Sequence, residues 1–467
     1  MLTQPAHVLS EMLTNREISA VDLMQATLAR IAYANPAVNA IVSLREPDAL
    51  LAEAAEADAT RRKGWMHGFP HAVKDLTATK GLRTTWGSPL FANFIPETDD
   101  LIVRRMKAAG AIIIGKTNTP EFGLGSHSFN PVHGVTRNPY DLARSAGGSS
   151  GGAAAALACR MVPVADGSDM MGSLRNPAAF CNVYGFRPTW DLIPADPEGD
   201  TYLHVMATNG PMARCPRDLA HLLEVLAGPD PRLPHGRMPA RYSAGLDADM
   251  CGKRIGWLAD WGGAYAMEPG ILAQCETALQ VFSDLGCSIE PLAPPFPAEQ
   301  LWQSWCILRA WANATGKKDL YADPRKRALL KPEILWEVEQ GQHLTAQQIH
   351  DASVIRSRYY ADLAGLFDRF DALALPSAQV WPFPADWRYP QTINGTAMET
   401  YHRWMEVVIP VSLAGVPALS VPAGFGENGL PMGLQIFGRA GADHAILQLG
   451  QAYHQATDWP NRRPPPI

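Results

Sequence analysis

The sequence predicts an α/β fold in which helices flank a central mixed β-sheet. Between Gly68 and Cys181, short apolar runs bounded by glycine and turn residues alternate with stretches compatible with helices. Strand-like apolar runs return in the last quarter of the chain, and the first sixty residues carry the three-to-four spacing of amphipathic helices. Such alternation is typical of domains whose helices pack on a parallel or mixed sheet.

Residues 1–62 are predicted to form helices that pack on the core. Val21, Met24, Leu28 and Ile31 recur at helical spacing, and an alanine-rich stretch over 47–60 predicts another helix. We interpret residues 1–467 as one domain that includes these helices.

Three short apolar runs are predicted to be buried strands: Pro70–Lys74, Ala111–Ile114 and Met161–Ala165. The stretches Leu101–Ala109 and Gly152–Cys159 are predicted to be the helices between them.

The second half of the chain is expected to continue the same domain. Residues 229–248 are rich in proline and arginine without periodicity, which indicates a surface excursion. A linker is less favoured, because strand-like runs resume at Arg254–Leu258, Asp371–Leu375, Ala418–Val421 and Leu430–Phe437. The stretch Glu299–Leu366 has a helical pattern and contains several tryptophans.

Composition excludes several classes of protein. A hydrophobic content of 47% with 18% charged residues is globular rather than disordered, and a net charge of -6 gives no basic surface for nucleic acid or anionic membranes. No window reaches 18 apolar residues, and the seven cysteines show no CxxC spacing. We expect a cytoplasmic protein with reduced thiols and a small-molecule substrate.

Two glycine-serine clusters carry the chemistry that the sequence suggests. In the first, GGSSGG, glycines surround Ser149 and Ser150 and allow backbone conformations closed to other residues. The second, Gly167–Ser173, turns sharply after a predicted strand, so successive N–H groups could converge on one point as in an oxyanion hole.

A serine nucleophile needs a base, and Lys74 is the best candidate. No histidine lies within either cluster, and a lysine can accept a proton if burial keeps it neutral. Lys74 ends an apolar run that would carry it into the interior. His127 and His133 flank turn residues and are not favoured as catalytic groups. His67 and His71 are not favoured as a metal site, because Pro70 between them breaks any helix.

The order of VKD, GGSSGG, a D-x-x-G-S turn and R-x-P-A resembles the amidase signature family. Segments such as TNTPEFGLGS, NVYGFRP and the C-terminal GVPALSVPAGFG extend the resemblance over most of the chain. It implies an α/β/α amidase signature fold and a Ser-cis-Ser-Lys triad, in which Lys74 is the base, Ser149 the relay and Ser173 the nucleophile. It also implies a cis peptide bond before Ser149.

The resemblance implies roles for further residues. The oxyanion hole would use backbone N–H groups of Met170, Met171, Gly172 and Ser173. Structural support would come from Ser150, Asp169 and Arg175. The acyl pocket would be lined by Gly123, Leu124, Gly125 and Ser168. One departure is Met171, which stands where the family usually has glycine, so we expect a shifted donor geometry or a narrower pocket mouth.

The implied reaction is hydrolysis of a carboxylic amide through an acyl-enzyme, without metal or organic cofactor. We expect a small apolar or aromatic amide, anilide or carbamate as substrate, as in aryl acylamidases and urethane-cleaving relatives. A homodimer is compatible with the sequence. One alternative is the A subunit of a tRNA-dependent amidotransferase, which needs partner subunits. Another is an α/β-hydrolase-type esterase whose nucleophile lies in GGSSG, although no apolar strand precedes that loop.

Overall fold

The computed structural model describes residues 1–197 and 199–467. The chain opens with three helices, α1 (Ala6–Thr14), α2 (Ala20–Val38) and α3 (Pro47–Ala59). A capping box starts α2, since the Ser19 hydroxyl accepts from the Asp22 N–H and the Asp22 carboxylate accepts from the Ser19 N–H. Leu9, Leu23 and Met24 are fully buried against the rest of the chain.

A three-stranded sheet carries the lysine segment. Its strands are β1 (Ile41–Val42), β2 (Pro70–Lys74) and β3 (Ile112–Thr117), in the order β1-β3-β2. Strands β2 and β3 are parallel, and helix α4 (Leu101–Ala108) lies between them in the chain. The predicted bounds of β2 are confirmed, whereas β3 extends three residues beyond the predicted run.

Two short hairpins lead into the first glycine-serine cluster. They consist of β4 (Phe129–Asn130), β5 (Gly134–Val135), β6 (Arg137–Asn138) and β7 (Asp141–Ser145). Helix α5 (Gly151–Ala158) follows directly and is buried on all sides. Alanine suits this position because a helix surrounded by protein needs small apolar side chains all round.

An eight-stranded mixed sheet forms the centre of the molecule. The remaining strands of the chain are β8 (Ala165–Asp169), β9 (Tyr184–Arg187), β10 (Thr208–Ala213), β11 (Arg254–Trp257), β12 (Ser288–Pro291), β13 (Ala372–Pro376), β14 (Thr392–Ile393), β15 (Thr396–Ala397), β16 (Ala418–Phe425) and β17 (Pro431–Phe437). The central sheet has the order β12-β11-β13-β17-β16-β9-β10-β8, and β14 and β15 form a separate hairpin. Strand β11 is parallel to β12 and β13, and the other pairs are antiparallel.

Helices cover this sheet. They are α6 (Arg175–Phe180), α7 (Pro216–Leu226), α8 (Ile271–Asp284), α9 (Ala298–Ala322), α10 (Pro324–Arg327), α11 (Pro332–Gln342), α12 (Ala346–Leu366), α13 (Ile409–Ala414), α14 (Asp443–Thr457) and α15 (Trp459–Arg462). Short 3₁₀ turns span Pro89–Phe91, Glu121–Gly123 and Arg403–Val408. The predicted α/β class with a mixed central sheet is confirmed, as is the helical stretch between residues 299 and 366.

One predicted strand is wrong. The apolar run from Met161 is buried but irregular up to Val164, and β8 begins only at Ala165. The ladder with β10 runs from Ala165 opposite Met212 to Asp169 opposite Thr208. The polar segment ADGSD forms the edge strand, and its last three residues begin the second glycine-serine cluster. Its buried carboxylates have partners, since Asp166 contacts His71 and Asp169 pairs with Arg175.

Residues 229–248 contain no helix or strand, and most of them are exposed. The division of the chain into one domain stays a prediction. Among the described residues, no helix combines the length and apolarity that a membrane span requires.

Candidate active site

Lys74 lies at the end of β2 with its side chain enclosed by serine hydroxyls. Its Nζ is 2.7 Å from Ser149 Oγ, 2.8 Å from Ser150 Oγ and 3.0 Å from Ser168 Oγ. The residue is only 1% exposed. The backbone N–H of Lys74 donates to the Asp166 carboxylate, which anchors the end of the strand.

Burial sets the protonation state of this lysine. It lowers the pKa of the Lys74 ammonium to about 7, although the negative charges of Asp166 and Asp169 act in the opposite direction. An ordinary lysine has a pKa near 10.4. A substantial fraction of Lys74 is therefore the neutral amine near pH 7, and this form can accept a proton.

The hydrogen-bond count around Lys74 has a chemical consequence. A neutral amine offers two N–H donors and one lone pair, and three hydroxyls surround it. At least one serine must then donate its proton to Nζ. The arrangement can thus transfer a proton from a hydroxyl to the lysine without movement of heavy atoms.

The GGSSGG loop presents Ser149 and Ser150 at the start of α5. The Gly148–Ser149 peptide bond is cis, as the family resemblance implies. A Cβ at Gly148 would lie 2.8 Å from the His127 backbone nitrogen, so this close approach requires glycine.

Ser173 stands between β8 and α6, and its side chain borders the same cavity as Ser149. The Ser150 N–H donates to the Ser173 carbonyl at 3.2 Å, which joins the two clusters. Among the described residues, the Ser173 hydroxyl has no hydrogen-bond partner. It is 8% exposed, so it is nearly enclosed but free to react with a molecule in the cavity. Catalytic hydrogen bonds are often long in unliganded enzymes and tighten on substrate binding.

Asp169 holds the turn that leads to Ser173. Its carboxylate accepts from the N–H groups of Gly172 at 2.9 Å and Leu174 at 3.2 Å. It also accepts two hydrogen bonds from Arg175, both at 3.0 Å, and pairs with Arg187. Burial alone would raise the pKa of Asp169, but the two guanidinium charges outweigh burial and hold this pKa well below its usual range.

The backbone amides of this turn divide into two sets. In the part of the chain that the structure describes, the N–H groups of Met170, Met171 and Ser173 have no acceptor. The expectation of a free Gly172 amide does not match the structure, because that N–H donates to Asp169. The positive φ of the turn, 78°, falls on Gly172, whereas Met171 has no positive φ. Methionine is therefore accommodated at 171 without a left-handed backbone.

A cavity of about 170 Å³ unites these groups. All four predicted acyl-pocket residues border it, together with Ser149, Ser173, Met170 and Met171. The sequence did not indicate six other lining residues: Leu76, Phe122, Ala207, Arg309, Asn313 and Met405. Ser168 also borders a neighbouring cavity of about 190 Å³, so one side chain contacts both spaces and Lys74. The helical, tryptophan-bearing pattern of residues 299–366 was the only sequence signal near Arg309 and Asn313.

Two buried histidines near the site have structural partners. His71 Nε2 lies 3.0 Å from Asp166 Oδ1, on the carboxylate that also anchors the Lys74 backbone. His127 Nε2 donates to the Ala385 carbonyl at 3.1 Å, so its Nδ1 is the acceptor for the Ser145 hydroxyl at 2.7 Å. Burial lowers the pKa of His127 to about 4. The neutral ring is thus fully used in holding the loop that precedes GGSSGG.

Comparison with known proteins identifies the family of this chain. A family model described as amidase matches residues 22–447. The chain belongs to the amidase family. Cleavage of a carboxamide C–N bond is the reaction that this membership supports. A curated relative from Chloroflexus aggregans, the A subunit of glutamyl-tRNA(Gln) amidotransferase, is 35% identical, and the match covers 96% of this chain and 95% of the relative.

Solved amidase-family structures share the fold. A bacterial aryl acylamidase of the amidase signature enzymes superposes with a TM-score of 0.91 at 28% identity, covering 99% of both chains. The A subunit of glutamyl-tRNA(Gln) amidotransferase from Thermotoga maritima superposes with a TM-score of 0.77 at 28% identity, covering 93% of this chain and 91% of that one. The amidase signature fold excludes the α/β-hydrolase alternative, and the strand before GGSSG is a short hairpin strand outside the central sheet.

Proposed function

We propose that this amidase-family chain hydrolyses a small carboxylic amide, anilide or carbamate through an acyl-enzyme on Ser173. The observation that carries the proposal is the buried Lys74 amine, 2.7 Å from Ser149 in a cavity that Ser173 also borders. Because burial brings the pKa of Lys74 to about 7, the lysine can serve as base where most serine hydrolases use histidine.

In the proposed mechanism, Ser149 relays protons between Lys74 and Ser173. Lys74 accepts the Ser149 proton while Ser149 accepts the Ser173 proton, and Ser173 Oγ attacks the carbonyl carbon. The resulting oxyanion is stabilised by the free amides of Met170, Met171 and Ser173, each donor of this kind contributing about 3 to 4 kcal/mol.

Breakdown of the tetrahedral intermediate uses the same relay in reverse. Ser149 gives its proton to the leaving nitrogen and regains one from Lys74 as the C–N bond breaks. Water then attacks the acyl carbon while the relay accepts its proton. As the bond from the acyl carbon to Ser173 Oγ breaks, the relay returns a proton to Ser173 and the acid leaves. Ser150 and Ser168 hold the Lys74 amine in place through this cycle.

An apolar or aromatic amine as leaving group is supported by the wall of the second cavity, which lies beside the acyl pocket. Trp190 and Ile193 border this second cavity, and Ser168 borders both. The high TM-score of the aryl acylamidase supports the same substrate class. The identity to amidotransferase A subunits favours a second candidate, in which the chain releases ammonia from a primary amide within a complex.

Assays on the purified chain alone distinguish these two candidates. We expect turnover of an anilide or aryl carbamate, with Ser173→Ala as the inactive control. Release of ammonia from glutamine with no cleavage of any anilide or carbamate would favour the second candidate.

A further inference from the structure

Helix α9 contributes two polar residues to the wall of the active-site cavity. Arg309 and Asn313 lie one helical turn apart and border the cavity together with Ser149 and Ser173. Arg309 is 4% exposed and Asn313 is 7% exposed. The proposed hydrolytic steps use neither residue.

Asn313 has an amide nitrogen without a partner. Lys317 Nζ donates to Asn313 Oδ1 at 3.0 Å, and since an ammonium is only a donor, this contact fixes which amide atom is the oxygen. Among the described residues, Asn313 Nδ2 has no hydrogen-bond acceptor. Buried donors without partners are destabilising, so such a group at a cavity wall indicates a ligand acceptor.

Arg309 is fixed in place but not fully used. Its Nε donates to Glu337 Oε1 at 2.6 Å and its Nη2 donates to the Tyr401 hydroxyl at 2.8 Å. The only described contact of Nη1 is the Met170 sulfur at 3.5 Å, and a thioether is a weak acceptor. The guanidinium is therefore held rigidly, with one nitrogen still able to bind a stronger acceptor.

This end of the cavity carries an excess of positive charge. Glu337 balances Arg309, with which it forms a buried ion pair. Lys317 is the second cation of the group, and burial lowers its pKa only to about 8, so most of it remains charged at pH 7. A negatively charged or strongly accepting group would complement this arrangement.

The lining of the cavity identifies the part of the substrate concerned. Arg309 and Asn313 border the same cavity as Gly123, Leu124 and Gly125. The family resemblance places these three residues beside the acyl group. The donors on α9 therefore belong to the acyl side of the scissile bond.

We propose that Arg309 Nη1 and Asn313 Nδ2 bind a carboxylate at the far end of the acyl group. This inference rests on the proposed function and deepens it. The preferred substrates are then amides of short dicarboxylic acids with an apolar or aromatic amine, and Arg309 and Asn313 determine that specificity.

The test compares two anilides of the same shape. One is the mono-p-nitroanilide of glutaric acid, and the other is the p-nitroanilide of 5-methylhexanoic acid, in which two methyl groups replace the carboxylate oxygens. We expect kcat/KM to favour the glutaric substrate by about tenfold or more, as one charge-assisted hydrogen bond allows. The preference should disappear in Asn313→Leu and shrink in Arg309→Lys, mainly through a higher KM for the glutaric substrate.

The control is Gln303→Leu, which changes an exposed amide on the same helix and should keep the preference. A variant that only loses stability would show the same fractional loss of kcat/KM for both anilides. Equal use of the two anilides by the unmodified protein, or a preference that survives in Asn313→Leu, overturns the inference. If the protein cleaves neither anilide but a fluorophosphonate still labels Ser173, the inference about the carboxylate is overturned. The assignment of Ser173 as nucleophile is then unaffected. If Ser173 is not labelled either, the proposed function itself fails.

Discussion

Lys74 Nζ lies 2.7 Å from Ser149 Oγ, and both atoms are buried beside a cavity that Ser173 also borders. The proposed mechanism requires this contact, because a hydroxyl alone has too high a pKa to activate Ser173. Loss of the lysine amine should therefore interrupt the relay.

Lys74→Met should abolish amide hydrolysis while the protein stays folded. Methionine has a similar length and removes a buried cation without leaving a charge unpaired, so circular dichroism and size-exclusion profiles should not change. General acid–base catalysis typically contributes about 10²- to 10⁴-fold to the rate, so kcat for an anilide should fall by at least about 10²-fold. The kcat for an activated phenyl ester should fall less than the kcat for the anilide, because the phenolate leaving group needs no protonation. Equal losses for ester and anilide would contradict the role of Lys74 in protonating nitrogen.

His127→Gln should leave a working enzyme. Both ring nitrogens of His127 are engaged with Ser145 and Ala385, and glutamine can supply a donor and an acceptor in their place. We expect kcat/KM to stay within a few fold of the unmodified protein. A folded His127→Gln protein as inactive as Lys74→Met would reopen a serine-histidine mechanism.

Asp169→Asn should destabilise the protein and reduce its activity. The change leaves Arg175 and Arg187 buried without their counter-charge, and loss of one partner from a buried ion pair costs about 3 to 5 kcal/mol. Urea unfolding should show this loss. The matched control is Asp247→Asn, which breaks an exposed pair with Arg217 and should cost less than about 1 kcal/mol. Similar midpoints for the two variants would mean that the Asp169 cluster is not needed to hold the turn.

Met171→Ala should enlarge the cavity and shift substrate preference. Met171 borders the cavity, and its φ is not positive, so alanine fits the same backbone. The ratio of kcat/KM for a bulky acyl anilide to that for acetanilide should rise. Parallel changes for both substrates would show that Met171 does not limit the acyl group.

The sequence predicted the helices and most strands of the site, because each was bounded by clear periodicity or by glycine. It failed at β8, where a buried apolar run suggested a strand and the polar segment ADGSD forms it instead. Hydropathy cannot show that Asp166 is buried against His71 from a distant strand, or that Asp169 is buried because the charges of Arg175 and Arg187 balance it. The sequence also could not predict that Ser168 contacts Lys74, or that Arg309 and Asn313 present donors to the cavity. Both features depend on how elements distant in the chain pack together.

The decisive experiment measures the rate at which a fluorophosphonate labels Ser173 as a function of pH, with peptide mass spectrometry as the readout. Only neutral Lys74 can accept the relayed proton, and its pKa is about 7. The rate should therefore rise about tenfold per pH unit below pH 7 and level off above it, while Lys74→Met shows slow labelling without this midpoint. Labelling of Ser149 in place of Ser173, or an unchanged pH profile in Lys74→Met, would refute the lysine-based relay.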